Sequence, residues 1–186
     1  MRNNHICPWW LAYTFDNPLR WFLHDPYAIL RPYLREGMTT IDLGCGMGYF
    51  SGAMAKIVGD AGTVISVDLQ KEMLAITRKR AEKDGVARRI RFLLAKDDDI
   101  GFTGQVDFAL AFWMVHEVTD TRKFFLQVYT ILKPTGTFLI AEPKMHVTRA
   151  RFEEILSCAL DTGFMISATP SVRLSRSVAL SKSSTV

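Results

Sequence analysis

No apolar run in this chain of 186 residues reaches the ~18 that a membrane-spanning helix needs, so no spanning helix is expected. The N-terminus lacks the basic, then apolar, then small-residue order of a secretory signal. Cysteine is scarce: three residues, at 7, 45 and 158, an odd number without paired spacing. A disulfide framework is therefore not expected, and the thiols read as reduced in a cytoplasmic protein. His5 and Cys7 offer two soft metal ligands where a closed zinc site needs about four, so no metal is assigned. Nothing repeats and no stretch is low in complexity. Acidic residues are outnumbered, giving a net charge of +4 and a pI near 9.0. That permits a nucleic-acid partner without demanding one. The densest basic run, Arg78-Lys79-Arg80 followed by Lys83, Arg88, Arg89 and Arg91, reads as the solvated face of a helix.

What is present suits one domain over residues 1–186, with 48% hydrophobic residues and room for a full core. Residues 1–37 stand apart, holding eight of the chain's 21 aromatics, Trp9, Trp10 and Trp21 among them. Prolines at 8, 18, 26 and 32 break this segment into short helical pieces, around 18–24 and 26–35, ending near Gly37. From Met38 strands and helices alternate. Strands are expected near 39–43, 63–68, 90–95, 106–111 and 136–142, and helices near 48–58, 70–84 and 120–132. An amphipathic helix near 149–162 carries Phe152, Ile155, Leu156, Cys158, Ala159 and Leu160, and Gly163 closes it. Two strands follow, near 164–170 and 176–181. This order predicts an α/β fold with a mainly parallel sheet covered on both faces.

The most informative stretch is Thr40-Ile41-Asp42-Leu43-Gly44-Cys45-Gly46-Met47-Gly48-Tyr49-Phe50-Ser51. An apolar, β-prone run enters a turn with glycines at 44, 46 and 48, and a helical pattern leaves it. Such a turn can be tight and can let a ligand lie against the backbone. Asp42 is expected to tie down the loop and to meet a cationic ligand group. A second buried strand pattern ends in Asp68, placed to accept both hydroxyls of a ribose. Tyr49 stands where the dinucleotide fingerprint wants its third glycine. A nucleoside without a pyrophosphate is favoured over a dinucleotide.

These residues resemble the class I S-adenosylmethionine-dependent methyltransferases. Ile41 to Gly48 looks like the family's first motif, and Asp68 matches its ribose-binding acid. Lys96-Asp97-Asp98 follows the third strand, where the family reads the adenine. Leu132-Lys133-Pro134-Thr135-Gly136 resembles the turn into the fifth strand. The matches cover roughly residues 38–182. They imply a doubly wound, Rossmann-like sheet of seven strands, mostly parallel with an antiparallel last strand and helices on both faces. They also imply S-adenosyl-L-methionine as donor and S-adenosyl-L-homocysteine as product. The donor contacts fall to Asp42, Gly44, Cys45, Gly46, Gly48, Asp68, Leu69, Asp97, Asp98 and Phe112. No appended target-recognition domain is expected, so the acceptor falls to the N-terminal segment and the loops at the strand ends.

Methyl transfer from a sulfonium needs alignment and dryness more than acid–base help. A base matters only where the acceptor holds its proton. The stretch after the fourth strand, Ala111 to Val118, resembles the region of small-molecule methyltransferases that faces the acceptor. His116 stands as a candidate base or as a packed histidine. Trp113 stands to stack on the acceptor or to cover the adenosyl group. Glu142 stands as a site carboxylate or as a cap on the next segment. Trp9 and Trp10 belong to an aromatic lid that suits an apolar or flat acceptor, or to a membrane-interface contact. The function read is methylation of a small, apolar or aromatic molecule. An RNA methyltransferase and a non-catalytic nucleoside-binding module are the alternatives.

Overall fold

The computed structural model describes residues 23–183. The helix expected at 18–24, like His5, Cys7, Trp9 and Trp10, lies wholly or mainly outside them. The first described helix is α1 (Pro26–Leu30), where Asp25 accepts the Tyr27 and Ala28 amides and Pro26 opens the first turn. It stops short of the expected 35. Arg31 still keeps helical geometry and donates to the Tyr27 carbonyl, but Pro32 lacks an amide to continue the ladder.

Seven strands follow: β1 (Thr39–Leu43), β2 (Thr63–Asp68), β3 (Ile90–Leu94), β4 (Val106–Phe112), β5 (Leu132–Pro143), β6 (Phe164–Ala168) and β7 (Ser175–Lys182). They form one sheet in the order β3-β2-β1-β4-β5-β7-β6. β1 to β5 pair in parallel, and β7 runs antiparallel to both β5 and β6. The helices between are α2 (Tyr49–Val58), α3 (Lys71–Lys83), α4 (Thr121–Ile131) and α5 (Arg149–Asp161). β5 begins four residues earlier than expected, because Leu132 pairs with Val106 before a register shift. No regular helix joins β3 to β4; that link is an open turn closed by a Lys96–Asp99 bridge.

Side-chain alternation sorts the strands onto two cores. Ile41, Leu43, Ile65, Val67, Phe138, Ile140, Val178 and Leu180 pack with α4 and α5. Leu110, Phe108, Phe112, Leu139, Ala141 and Ala179 pack with α1 and α2. α5 buries Ile155 and Ala159 and closes on Gly163, whose φ is +100°. Cys158, expected inside, sits on the shoulder of that helix and is half-buried. Parallel pairing lets β1, β2, β4 and β5 end at one carboxyl edge. Ligands of open α/β sheets collect at that edge.

Candidate active site

The glycine turn reads differently at each of its three glycines. All have positive φ, +68°, +53° and +77° at Gly44, Gly46 and Gly48. A Cβ on Gly46 would meet nothing within 4 Å, whereas one on Gly44 would lie 2.9 Å from Met114 Cβ and one on Gly48 2.5 Å from Thr77 Cγ2. Of the three, Gly46 offers open backbone. Gly44 lies under Met114, and Gly48 exists for helix–loop packing. Thr77 Oγ1 also donates to the Gly46 carbonyl at 2.8 Å, so α3 holds the turn from below.

Asp68 stands at the tip of β2 and takes the Gly46 amide on one oxygen and the Gln70 amide on the other, each at 2.9 Å. Burial raises its pKa above the usual carboxylate value, and the amides of Gln70, Gly46 and Leu69 offset part of that. Each carboxylate oxygen has lone pairs to spare for further donors. A pair of ribose hydroxyls is the kind of partner a half-compensated carboxylate favours. Leu69, next along, is 39% exposed and offers an apolar surface there. Cys45 is buried beneath the loop; burial, then the charges of Asp42 and Asp68, push its thiol well up. It packs and stays neutral.

Asp42 is buried and accepts from Ser51 Oγ at 2.5 Å, which in turn accepts from Ser66 Oγ at 2.8 Å. This hydroxyl chain ties β1, β2 and α2 together under the turn. The sequence reading missed Ser51 and Ser66. The signal was there in Ser66, a lone hydroxyl inside the apolar run Val64-Ile65-Ser66-Val67. At the β3 tip, Asp98 is engaged by Lys123 Nζ at 2.7 Å. That hydrogen bond holds its carboxyl below the usual range. Asp97 is exposed and is the acid of the pair left facing solvent among the described residues.

Phe112 turns into the core, its ring centroid 4.4 Å from that of Phe50, so only its backbone lines the carboxyl edge. Trp113 has φ +61°, a costly conformation for a bulky residue. Its amide donates to the Ala141 carbonyl at 2.7 Å and its indole Nε1 to Ser175 Oγ at 2.8 Å. Its ring stacks on Phe112 and meets the edge of buried His24 at 5.0 Å. Trp113 fastens the end of β4 to the start of β7 and to His24.

That reversal delivers Met114 over Gly44 and sets the next turn, Val115–Glu117, over the end of β5. Glu142 is fully buried there; one oxygen accepts the Val115 amide at 2.9 Å and the other engages His116 Nδ1 in a short hydrogen bond. Glu142 caps the turn that follows β4, not the segment after its own strand, and it orients the histidine. Burial lowers the His116 pKa, but the hydrogen bond and charge of Glu142, helped by Glu117, outweigh it and leave the value raised. Glu117 Oε1 lies 3.9 Å from His116 Nε2. With Nδ1–H committed to Glu142, the neutral ring presents its lone pair at Nε2. The sign of the linkage follows. The folded state favours the protonated ring, so this pair's contribution to stability is full below the ordinary histidine value and fades as pH rises through the raised one.

Within the basic run, Arg78 of α3 lies 4.2 Å over the Phe92 ring and Arg89, beyond α3, pairs with Asp60; Lys56 of α2 pairs with Asp84. A groove of about 290 Å³ between α1, α2 and α3, lined by Tyr27, Tyr49, Lys56 and Lys83, lies away from the dyad.

Over residues 34–166 the chain matches a family described as a methyltransferase domain. It is 31% identical over 110 residues to the ubiquinone/menaquinone biosynthesis C-methyltransferase UbiE of Haemophilus ducreyi, covering 59% of this chain and 42% of that protein. The Vibrio campbellii protein of the same name is 29% identical over 109 residues, with 58% and 42% covered. The chain therefore spans about two-fifths of the length of the curated relatives it matches. A crystal structure of a SAM-dependent methyltransferase from Aquifex aeolicus superposes with a TM-score of 0.83 at 25% identity, covering 94% of this chain and 98% of that one. A putative S-adenosyl-L-methionine-dependent methyltransferase from Methanococcus maripaludis shares the fold with a TM-score of 0.81 at 17% identity, over 100% and 99% of the two chains.

Proposed function

The chain belongs to the class I S-adenosylmethionine-dependent methyltransferases, and from that footing we propose that it methylates a small, apolar or aromatic acceptor with His116 as base. The observation that carries the reading is the juxtaposition of the open Gly46 turn, the buried Asp68 carboxylate and the Glu142-oriented His116 on one carboxyl edge. S-adenosyl-L-methionine supplies an electrophilic methyl group. Gly46 leaves its backbone clear for that donor, Asp68 receives the ribose hydroxyls, Leu69 flanks the adenine, and Asp97 is the acid at hand for its amine. Asp42 acts from below by holding the turn through Ser51.

On the acceptor side, His116 Nε2 takes the proton of an acceptor that does not shed it unaided. Glu142 keeps the ring in the required tautomer, and with Glu117 it stabilises the imidazolium that results. Met114 and the buried Val115 keep water from the space between Gly44 and the dyad. The relatives are named as ubiquinone/menaquinone biosynthesis C-methyltransferases, which supports a flat organic acceptor for this chain. The curated relatives, named as C-methyltransferases of quinone biosynthesis, give no support to an RNA acceptor.

The reading is tested by calorimetric titration with S-adenosylhomocysteine, beside Asp68→Ala and an NADH control. Wild type is expected to bind saturably, and Asp68→Ala to lose at least about tenfold in affinity as two charge-assisted hydrogen bonds vanish. Unchanged affinity in a folded variant would remove the ribose assignment. NADH binding instead of S-adenosylhomocysteine would remove the family's donor from this chain. With an acceptor in hand, turnover is expected to rise with pH through a value above the ordinary histidine pKa of about 6.5, since the base must be neutral. A flat pH profile would deny His116 that role.

A further inference from the structure

The carboxyl edge has a second property beyond the dyad. After β5 the chain turns sharply, with the His146 and Val147 amides both donating to the Pro143 carbonyl. Met145 rides the tip of that turn at 84% exposure, between the exposed side chains of Lys144 and His146. The link into β7 runs beside it, because the Lys144 amide donates to the Leu174 carbonyl at 2.9 Å. Leu174 has φ +57° and is 42% exposed. An aliphatic residue in that conformation costs energy, and here it turns an apolar side chain outward.

Cations surround this apolar tip. Arg173 precedes Leu174 and is exposed; neither it nor Lys144 joins an ion pair among the described residues. Arg149 and Arg151 at the start of α5 are already paired, with Glu153 at 2.8 Å and Glu154 at 2.9 Å on the same helix, which leaves Lys144 and Arg173 as the cations beside the tip. Arg176 faces Glu142 across the β5–β7 pair. His24 Nε2 meets the Arg173 carbonyl at 2.8 Å and holds the link into β7 at this rim.

We infer that this rim, formed by Lys144, Met145, Arg173 and Leu174, rests on an anionic phospholipid bilayer. Charge and apolarity point to one occupant. Anionic headgroups match the two cations, and the boundary beneath them takes up Met145 and Leu174, which a dissolved anion would leave in water. The bilayer contact itself is independent of the chemistry. Its consequence rests on the proposed methyl transfer: an acceptor dissolved in the bilayer reaches His116 from the rim without crossing bulk water.

The test is co-sedimentation of the full-length protein with vesicles of phosphatidylcholine alone and of phosphatidylcholine mixed with phosphatidylglycerol, without donor or acceptor. Binding to the anionic vesicles is expected, weakening with added salt. Each cation removed near the surface is expected to weaken it about fivefold, so Lys144→Ala with Arg173→Ala loses roughly 25-fold. Lys79→Ala with Lys83→Ala on α3 changes net charge equally and is expected to leave binding unchanged. Met145→Ser is expected to lower it on both vesicle types. Absence of binding to anionic vesicles, or equal losses from the two double variants, overturns the inference. Because no methyl donor is present, either result leaves the methyltransferase reading to its own titration. Retained S-adenosylhomocysteine affinity in each variant reports that it is folded.

Discussion

Replacing Glu142 by alanine is expected to lower stability by about 3 kcal/mol and to reduce methyl transfer by a factor on the order of 10² to 10⁴. The stability loss follows from position. Glu142 is fully buried and accepts from both the Val115 amide and His116, so its removal leaves two donors without an acceptor in a dry site. For a domain of this size the loss corresponds to a melting temperature lower by roughly 10 °C. The activity loss follows from the ring: without Glu142, nothing fixes His116 with its lone pair at Nε2. Glu142→Gln separates the two effects. It keeps one acceptor oxygen and the side-chain volume, so most of the stability should return. The charge that raises the His116 pKa is gone, so the ring should titrate lower, closer to where burial alone would hold it. Proton NMR titration of His116 in wild type and Glu142→Gln reads this directly. An unchanged titration would mean that Glu142 does not govern the histidine, and the dyad would reduce to a structural cap.

Gly48→Ala is expected to destabilise by about 3 kcal/mol, far more than Gly46→Ala at about 1 kcal/mol, although the two glycines are neighbours in one turn. Both substitutions put a side chain on left-handed backbone, with φ +77° and +53°. Only at Gly48 would the new Cβ also strike Thr77, at 2.5 Å from its methyl. Combining Gly48→Ala with Thr77→Ser removes that methyl and can keep the hydroxyl bond to Gly46. Recovery of roughly 1 kcal/mol is expected in the double variant. Donor affinity should rank the other way, with Gly46→Ala folded but impaired in binding S-adenosylhomocysteine, because its Cβ would project into the open space over the turn. Chemical denaturation and calorimetry together read both orders. Equal stability for the two single variants would mean that Thr77 yields without cost and that the turn is not packed against α3.

Much of the architecture was legible because the governing physics is local. Strands buried on both sides must be nearly continuous in apolar residues, and Phe108 to Ala111 meet that demand, as do Val64, Ile65 and Val67 around Ser66. Most helix ends fell within a residue or two of expectation, and Gly163 closes the last helix as read. The glycine turn and Asp68 suggested a nucleoside site by type and spacing. The N-terminal helix was drawn too long because Pro32 was kept inside it, whereas its missing amide ends the helix there. Cys158 was read by helical spacing alone, which does not say how far the neighbouring elements reach across a helix face.

What the sequence determined by itself was the order of elements, the parallel sheet, the nucleoside-binding turn and a histidine after β4 with a carboxylate after β5. Each follows from short-range rules of periodicity, capping and backbone permissiveness, which act within a few residues. Tertiary structure alone decided that His116 and Glu142, 26 positions apart, meet as a pair. It also decided that Trp113 bonds Ser175, 62 positions on, that one glycine of three is open, and that Met145 and Leu174 stand out together beside Lys144 and Arg173. Those outcomes depend on which strands become neighbours in space. The β4–β5 and β5–β7 pairings that create them are long-range choices, made by packing of the whole sheet.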